Sequence, residues 1–129
     1  MSELARIMST IAPWLGLSLL APIFLANAFG VLDQSVAVRE LAATGVAQPV
    51  ARMMVALGRL LQLAATPCLF FHATRPIAAL LLAIFLIGAT CTAHAFWKAA
   101  SADRDRQLAN FLKNVAIVGG LLLAAGWST

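Results

Sequence analysis

The side chains of this chain that could do chemistry are a few polar and cationic groups set within apolar sequence. A histidine can exchange protons near neutral pH, and cationic or amide groups can donate hydrogen bonds to a carbonyl or an anion. Beside lipid, such groups would suit a quinone carbonyl or the head group of an anionic lipid. The residues expected to line one ligand pocket are Asn27, Arg59, Gln62, His94, Lys113 and Asn114.

A purely structural role would explain the same residues. Arg59 and Lys113 lie near the starts of apolar stretches, and their long side chains could extend to the membrane surface without any ligand. Asparagine and threonine also join membrane helices through hydrogen bonds, each worth about 1 kcal/mol or less. Both interpretations stay open at the level of sequence.

The remaining reactive side chains match no catalytic or metal-binding pattern. All five carboxylates lie outside the apolar stretches, and the sequence has no glycine-rich phosphate loop. His72 and His94 fall at opposite ends of their stretches, about 30 Å apart, so they cannot ligate one haem iron. Cys68 and Cys91 lie at different depths, whereas a disulfide needs Cα atoms within about 7 Å. The pattern favours a protein that is not itself an enzyme and predicts no metal site.

Four apolar stretches must position the pocket residues. Of the 129 residues, 62% are hydrophobic and 11% are charged, whereas soluble domains carry about 25% charged residues. Crossing a bilayer takes about 20 apolar residues. The predicted spans are Ile11–Val31, Met53–Phe71, Ile77–Trp97 and Ala109–Trp127. They leave room for one domain, so residues 1–129 are predicted to be an all-α bundle of four transmembrane helices.

The gaps between the spans have predictable structures too. Between the first and second spans, Asp33 is suited to cap a short helix and Gly45 to end it, and the pattern predicts a helix lying at the membrane surface. The 72–76 gap is short, so the second and third spans should be antiparallel neighbours. The charge-balanced run at 101–106 is expected to be a solvated connection.

The distribution of positive charge indicates orientation rather than nucleic-acid binding. The net charge is +4, but the nine Lys and Arg residues are scattered in the gaps and form no patch. Only Arg6 and Arg75 fall on one predicted side of the membrane, and the other seven lie on the side of the 32–52 and 98–108 segments. Positive charge is retained in the cytoplasm. Both termini are therefore expected to be periplasmic, with the polar pocket in the cytoplasmic half.

Several motifs resemble, in sequence order, the DoxX family of small bacterial membrane proteins. The most specific is the segment 111–123, Phe-Leu-Lys-Asn-Val-Ala-Ile-Val-Gly-Gly-Leu-Leu-Leu, preceded by His-Ala-Phe-Trp at 94–97. The segments 19–25 and 44–49 are similar as well. The resemblance implies a four-helix inner-membrane protein related to a quinol oxidase subunit and to thiosulfate:quinone oxidoreduction. It also implies that His94, Lys113 and Asn114 are motif residues.

Sequence and resemblance together predict a bacterial inner-membrane protein that serves as a non-catalytic or accessory subunit in quinone-linked or thiol-redox chemistry. The expected partners are the lipid bilayer, a membrane redox protein and further copies of the chain, and quinone is the suggested cofactor. Two other functions fit the same features. One is a small oligomeric carrier or permease component, and the other is a lipid-interacting scaffold.

Overall fold

Five α-helices account for most of the described chain, which covers residues 2–31 and 33–127 of this computed structural model. A 3₁₀ turn at Phe96–Lys98 lies between the last two. The all-α prediction is therefore confirmed. The helices are α1 (Glu3–Ala28), α2 (Gln34–Ala43), α3 (Gln48–Cys68), α4 (Arg75–Ala93) and α5 (Ser101–Gly126).

The four long helices form a ring. Helix α1 contacts α3 and α5, helix α4 also contacts α3 and α5, and the short α2 packs against α3 and α4. A six-residue turn joins α3 to α4, so these helices are antiparallel neighbours as the sequence predicts. At the other seam of the ring, Trp14 of α1 contacts Trp127, directly after α5. The ring brings Trp14, near the middle of α1, to the end of α5.

The short helix α2 forms where the sequence predicts it. The Asp33 carboxylate accepts a hydrogen bond from the backbone N–H of Ser35 (2.9 Å) and caps the helix. After the helix, Gly45 adopts a φ of +100°, a backbone conformation that favours glycine. The predicted start and stop of the helix are thus confirmed.

Apolar side chains cover the outside of the ring. The core contains Leu17, Phe24, Leu82 and Leu121, but many larger side chains point outward. The exposed fraction reaches 80% for Leu19 of α1 and 80% for Leu123 of α5. A soluble protein rarely exposes a contiguous apolar surface of this kind. The outer surface is therefore suited to an apolar solvent.

Within the described residues, three helical segments are long and apolar enough to cross a membrane: Glu3–Ala28, Arg75–Lys98 and Ser101–Gly126. They cover the first, third and fourth predicted spans. Helix α3, which contains most of the second predicted span, is not among them. Its polar residues Arg52, Arg59 and Gln62 lower its mean hydropathy.

The helices do not end where the predicted spans do. Helix α1 begins at Glu3, whereas the first predicted span begins at residue 11, and α4 ends at Ala93, four residues before the end of the third predicted span. The run at 101–106 is exposed, as expected of a solvated segment, and it forms the first turns of α5. Asp103 lies in the first turn, where a negative charge is favourable. It also forms an ion pair with Arg106 three residues later, which favours the helix.

Candidate functional site

The six predicted pocket residues fall into three groups in the structure. Asn27, Arg59 and Gln62 lie where α1 meets α3. His94 and Asn114 make separate contacts between α4 and α5. Lys113 is exposed and lies 3.4 Å from Asn110 on its own helix.

Three amide side chains form what we call the polar junction: Asn27 of α1, Gln34 of α2 and Gln62 of α3. Asn27 Nδ2 donates to Gln62 Oε1 (2.8 Å), and Gln34 Nε2 donates to Asn27 Oδ1 (2.7 Å). Gln62 Nε2 donates in turn to the backbone oxygen of Gly58 (3.0 Å). Because Gln62 is only 2% exposed, losing a partner here would leave a buried polar group unsatisfied. The junction therefore fixes three helices to one another.

Arg59 is turned toward the end of α1. Its Nε donates a hydrogen bond to the backbone oxygen of Ala28 (3.2 Å), the last residue of that helix. The final carbonyls of a helix lack partners within the helix and carry partial negative charge. Gly30 has a φ of +74°, and a Cβ at that position would lie 2.9 Å from Arg59 Nη2. Because Gly30 has no side chain, the Arg59 guanidinium can lie close to the backbone there and cap α1.

The second group joins α4 to α5. The buried Asn114 Nδ2 donates to Thr90 Oγ1 (3.0 Å), which itself donates to the backbone oxygen of Leu86 (2.6 Å). Where α4 ends, His94 Nδ1 lies 2.8 Å from Gln107 Oε1 of α5. A hydrogen bond there requires the tautomer with a proton on Nδ1. These contacts hold the end of α4 against the first half of α5.

The geometry suits packing between helices as well as it suits ligand binding. In the described part of the chain, every buried side-chain nitrogen and oxygen has a hydrogen-bond partner. The polar groups of α1 and α3 are satisfied across one seam, and those of α4 and α5 across another. Binding of a ligand by the six residues stays a prediction.

Arg75 is the buried charge that sequence reasoning missed. It begins α4 and is only 1% exposed. Its Nε donates to the backbone oxygen of Leu69 (2.7 Å), and its Nη1 lies 3.4 Å from the backbone oxygen of Trp127. The guanidinium carbon lies 4.0 Å from the ring centroid of Trp127 and 5.4 Å from that of Trp14. We call Trp14, Arg75 and Trp127 the arginine clamp.

One sequence signal could have pointed to the clamp. In an antiparallel four-helix arrangement, the start of the first helix, the start of the third and the end of the fourth lie at one end of the bundle. Trp14, Arg75 and Trp127 occupy those three places. Arg75 was instead counted only as a positive charge on one side of the membrane.

The fold and these polar contacts define an all-α protein in which three helical segments of the described chain are long and apolar enough to cross a membrane. A family model described as HR-like lesion-inducing matches residues 16–126. This range includes all five helices in whole or in part, and the chain belongs to the HR-like lesion-inducing family. Searches of curated proteins and of solved structures find no match.

The family match overturns the resemblance to DoxX. The motif segments that carry that resemblance all lie inside the range 16–126, which matches the other family. Leucine, alanine and glycine recur in unrelated membrane helices because lipid restricts their composition, so short motifs of these residues discriminate poorly. The motif roles inferred for His94, Lys113 and Asn114 lose their basis with it.

Proposed function

We propose that this chain is an integral membrane protein whose four long helices all cross the bilayer and which serves as an accessory or scaffolding subunit of a membrane assembly. The observation that carries the proposal is the direction of its side chains. Amide groups of the spans hydrogen-bond between helices, whereas large apolar side chains face outward. A bundle of this kind needs lipid around it and offers its outer faces to other membrane proteins.

The case for α3 as a fourth span rests on its neighbours. Helix α3 packs between α1 and α4, both of which are long and apolar enough to cross a membrane. Its outward side chains include Leu60, which is 61% exposed. Its polar Gln62 is buried, and polar side chains are tolerated within membranes when they face the bundle interior. Low mean hydropathy is therefore compatible with a crossing helix here.

The burial of Arg75 supports the orientation in which α2 lies at the cytoplasmic surface. Among the described residues of the predicted periplasmic side, Arg75 lies inside the protein, and Arg6 is exposed and pairs with Glu3. The opposite side keeps Arg39, Arg52 and Lys98 exposed. Positive residues concentrate on the cytoplasmic side. The inner-membrane location and the periplasmic termini remain part of the proposal.

The quinone-linked or thiol-redox partner expected from the sequence stays a prediction, as does homo-oligomerisation. We infer that the accessory role depends on contact with other proteins or lipids and not on a ligand held by His94. A carrier would need subunits to share a pathway, because four helices whose interior is filled by side chains enclose little space.

Purification in a mild detergent, followed by mass spectrometry of co-purifying proteins and small molecules, tests this role. We expect a membrane protein partner in near-stoichiometric amount, and we expect a variant with His94→Ala and Lys113→Ala to retain that partner and to rescue a deletion strain. Stoichiometric quinone that is lost on His94→Ala would contradict the proposal. Lys98→Ala, which removes an exposed cation outside all three groups, is the matched control.

A further inference from the structure

A shallow groove of about 300 Å³ lies between α2 and the start of α3, outside the polar groups described above. Each helix contributes a polar residue and an arginine four positions later, and residues with this spacing share one face of a helix. Val38 completes the wall. The groove is lined by Ser35, Val38, Arg39, Gln48 and Arg52.

Neither arginine of the groove is neutralised within the described residues. The ion pairs there are Glu3–Arg6 and Asp103–Arg106. The positive charge of Arg39 lowers the pKa of the Asp33 carboxyl. That carboxylate, however, accepts the hydrogen bond that caps α2. Two guanidinium groups therefore face one concave surface with donors free to bind an anion, and guanidinium groups match the geometry of phosphate oxygens.

Exposed apolar side chains of α3 lie on the helix face next to that of Arg52. Met53, the residue after Arg52, is 55% exposed, and Leu57, one turn further on, is 56% exposed. These apolar side chains would contribute nothing to the binding of a free anion. A lipid would place its phosphate at the arginines and its acyl chains along the apolar face, as basic pockets beside membrane helices do.

We propose that the groove between α2 and α3 binds the head group of an anionic phospholipid through Arg39 and Arg52, with the Gln48 amide as a further hydrogen-bond donor. The inference rests on the proposed function in one respect, because the groove must lie at the depth of the lipid head groups. Binding there would attach α2 to the membrane surface and would make lipid composition a determinant of its position.

Native mass spectrometry of the full chain in detergent micelles, titrated with phosphatidylglycerol or phosphatidylcholine, tests the proposal. The variant with Arg39→Gln and Arg52→Gln should bind phosphatidylglycerol roughly 30-fold more weakly, at the usual contribution of surface arginines to anionic lipid binding. Its binding of phosphatidylcholine should not change. The matched control, Lys98→Gln with Arg104→Gln, removes the same charge from the same side and should leave both affinities unchanged.

A variant that leaves the net charge unchanged distinguishes binding in the groove from diffuse electrostatic attraction to the protein surface. Ser35→Trp fills the groove and keeps both arginines, so it should also weaken phosphatidylglycerol binding. Equal weakening by the control pair, or full binding by Ser35→Trp, would overturn the proposal. Competition by excess inorganic phosphate that abolishes lipid binding would show that the site is for the free anion and would also overturn it.

The micelle assay does not depend on sidedness. A failure of the membrane topology proposed above therefore leaves its outcome interpretable. Circular dichroism of each variant confirms that the helices are intact.

Discussion

At the residue scale, amide, hydroxyl and guanidinium groups make polar contacts inside the bundle. The polar junction joins α1, α2 and α3 through Asn27, Gln34 and Gln62. The arginine clamp joins the ends of α3 and α5 to the start of α4 through carbonyl groups. In both places a polar side chain satisfies a group that lipid could not, and so stabilises a contact between helices.

We expect Gln62→Leu to lower the free energy of unfolding by about 1 kcal/mol, because it leaves the half-buried Asn27 amide without its acceptor. Adding Asn27→Leu should recover part of the loss, since both partners of the bond are then apolar. Unfolding in mixed micelles with increasing denaturant measures the effect. Asn110→Leu, at an amide that contacts only the exposed Lys113, is the control. If Gln62→Leu leaves the free energy of unfolding unchanged, the polar junction does not stabilise the bundle.

Arg75→Met should destabilise the protein by about 2 kcal/mol, because it removes charge-assisted hydrogen bonds to buried carbonyls. It should also shift tryptophan emission, since the guanidinium stacks on the rings of Trp14 and Trp127. Arg6→Met is the matched control, because Arg6 forms an exposed ion pair worth little. Equal effects of the two substitutions would refute the arginine clamp.

The buried polar residues of the spans could be found from sequence, but their partners could not. An amide in an apolar stretch signals a contact with protein, and Asn27, Gln62 and Asn114 are such contacts. Which amides meet depends on helix rotation and tilt, which composition does not determine. Arg75 was assigned to the surface because it lies in a short charged gap, whereas three helix ends enclose it.

At the element scale, close packing between helices depends on small residues. Gly58 of α3 faces Phe85 of α4, and a Cβ on Gly58 would lie 2.5 Å from Phe85 Cε2. At Gly88, apart from its chain neighbours and the backbone of its own helix, no atom of the described residues lies within 4 Å of the corresponding Cβ position. These two helical glycines therefore differ in packing, although the sequence alone does not distinguish them.

Gly58→Ala should destabilise the bundle by about 1–3 kcal/mol through overpacking against Phe85. Gly88→Ala should be neutral or stabilising by up to about 1 kcal/mol, because alanine favours the helix. A second change, Phe85→Leu, should relieve much of the cost at Gly58. Thermal unfolding in detergent compares the variants. Equal stability of the Gly58→Ala and Gly88→Ala proteins would contradict the contact.

Helix α2 should lose protection at low pH. The backbone N–H of Ser35 holds the pKa of Asp33 below its ordinary value of 3.8, with a further contribution from the Ser35 hydroxyl. A carboxyl whose pKa is lowered by folding stabilises the folded state above its ordinary pKa, and this contribution is lost as pH falls through the lowered value. The protection factors of α2 amides, which compare their exchange with that of the unstructured chain at the same pH, should therefore fall below about pH 3.8.

Two variants isolate the contribution of the Asp33 carboxylate. Asp33→Asn keeps a capping oxygen but cannot titrate in this range, so it should remove the acid dependence. Asp33→Ala should give fast exchange at every pH, because the cap is lost. If the protection of α2 amides in the wild-type protein does not change across this pH range, the Asp33 cap does not determine the stability of α2.

Helix ends that depend on a single capping or stop residue could be predicted from the sequence. Helix ends that depend on contacts between side chains were harder to predict. The cap at Asp33 and the stop at Gly45 are local, and α2 begins and ends accordingly. The run at 101–106 was taken for a connection because its residues are charged. Its Asp103–Arg106 pair stabilises a helix instead, and the extra turns extend α5 beyond the predicted span.

At the scale of the whole molecule, the bundle reverses the distribution of a soluble protein, with apolar side chains outside and hydrogen-bonded polar groups within. Composition alone predicts this reversal, since few charges are available to cover a surface. The family could not be read correctly from short apolar motifs, and a match over residues 16–126 was needed. The central claim is that all four long helices cross the membrane with α2 on the cytoplasmic side.

Cysteine accessibility tests that claim most directly. In a background with Cys68→Ala and Cys91→Ala, single cysteines would replace Thr44 after α2, Ala73 in the turn between α3 and α4, or Ser101 at the start of α5. A membrane-impermeant maleimide should label position 73 in intact cells, and positions 44 and 101 only after permeabilisation. Labelling of positions 44 and 73 from the same side would show that α3 does not cross, and would contradict the four-span topology.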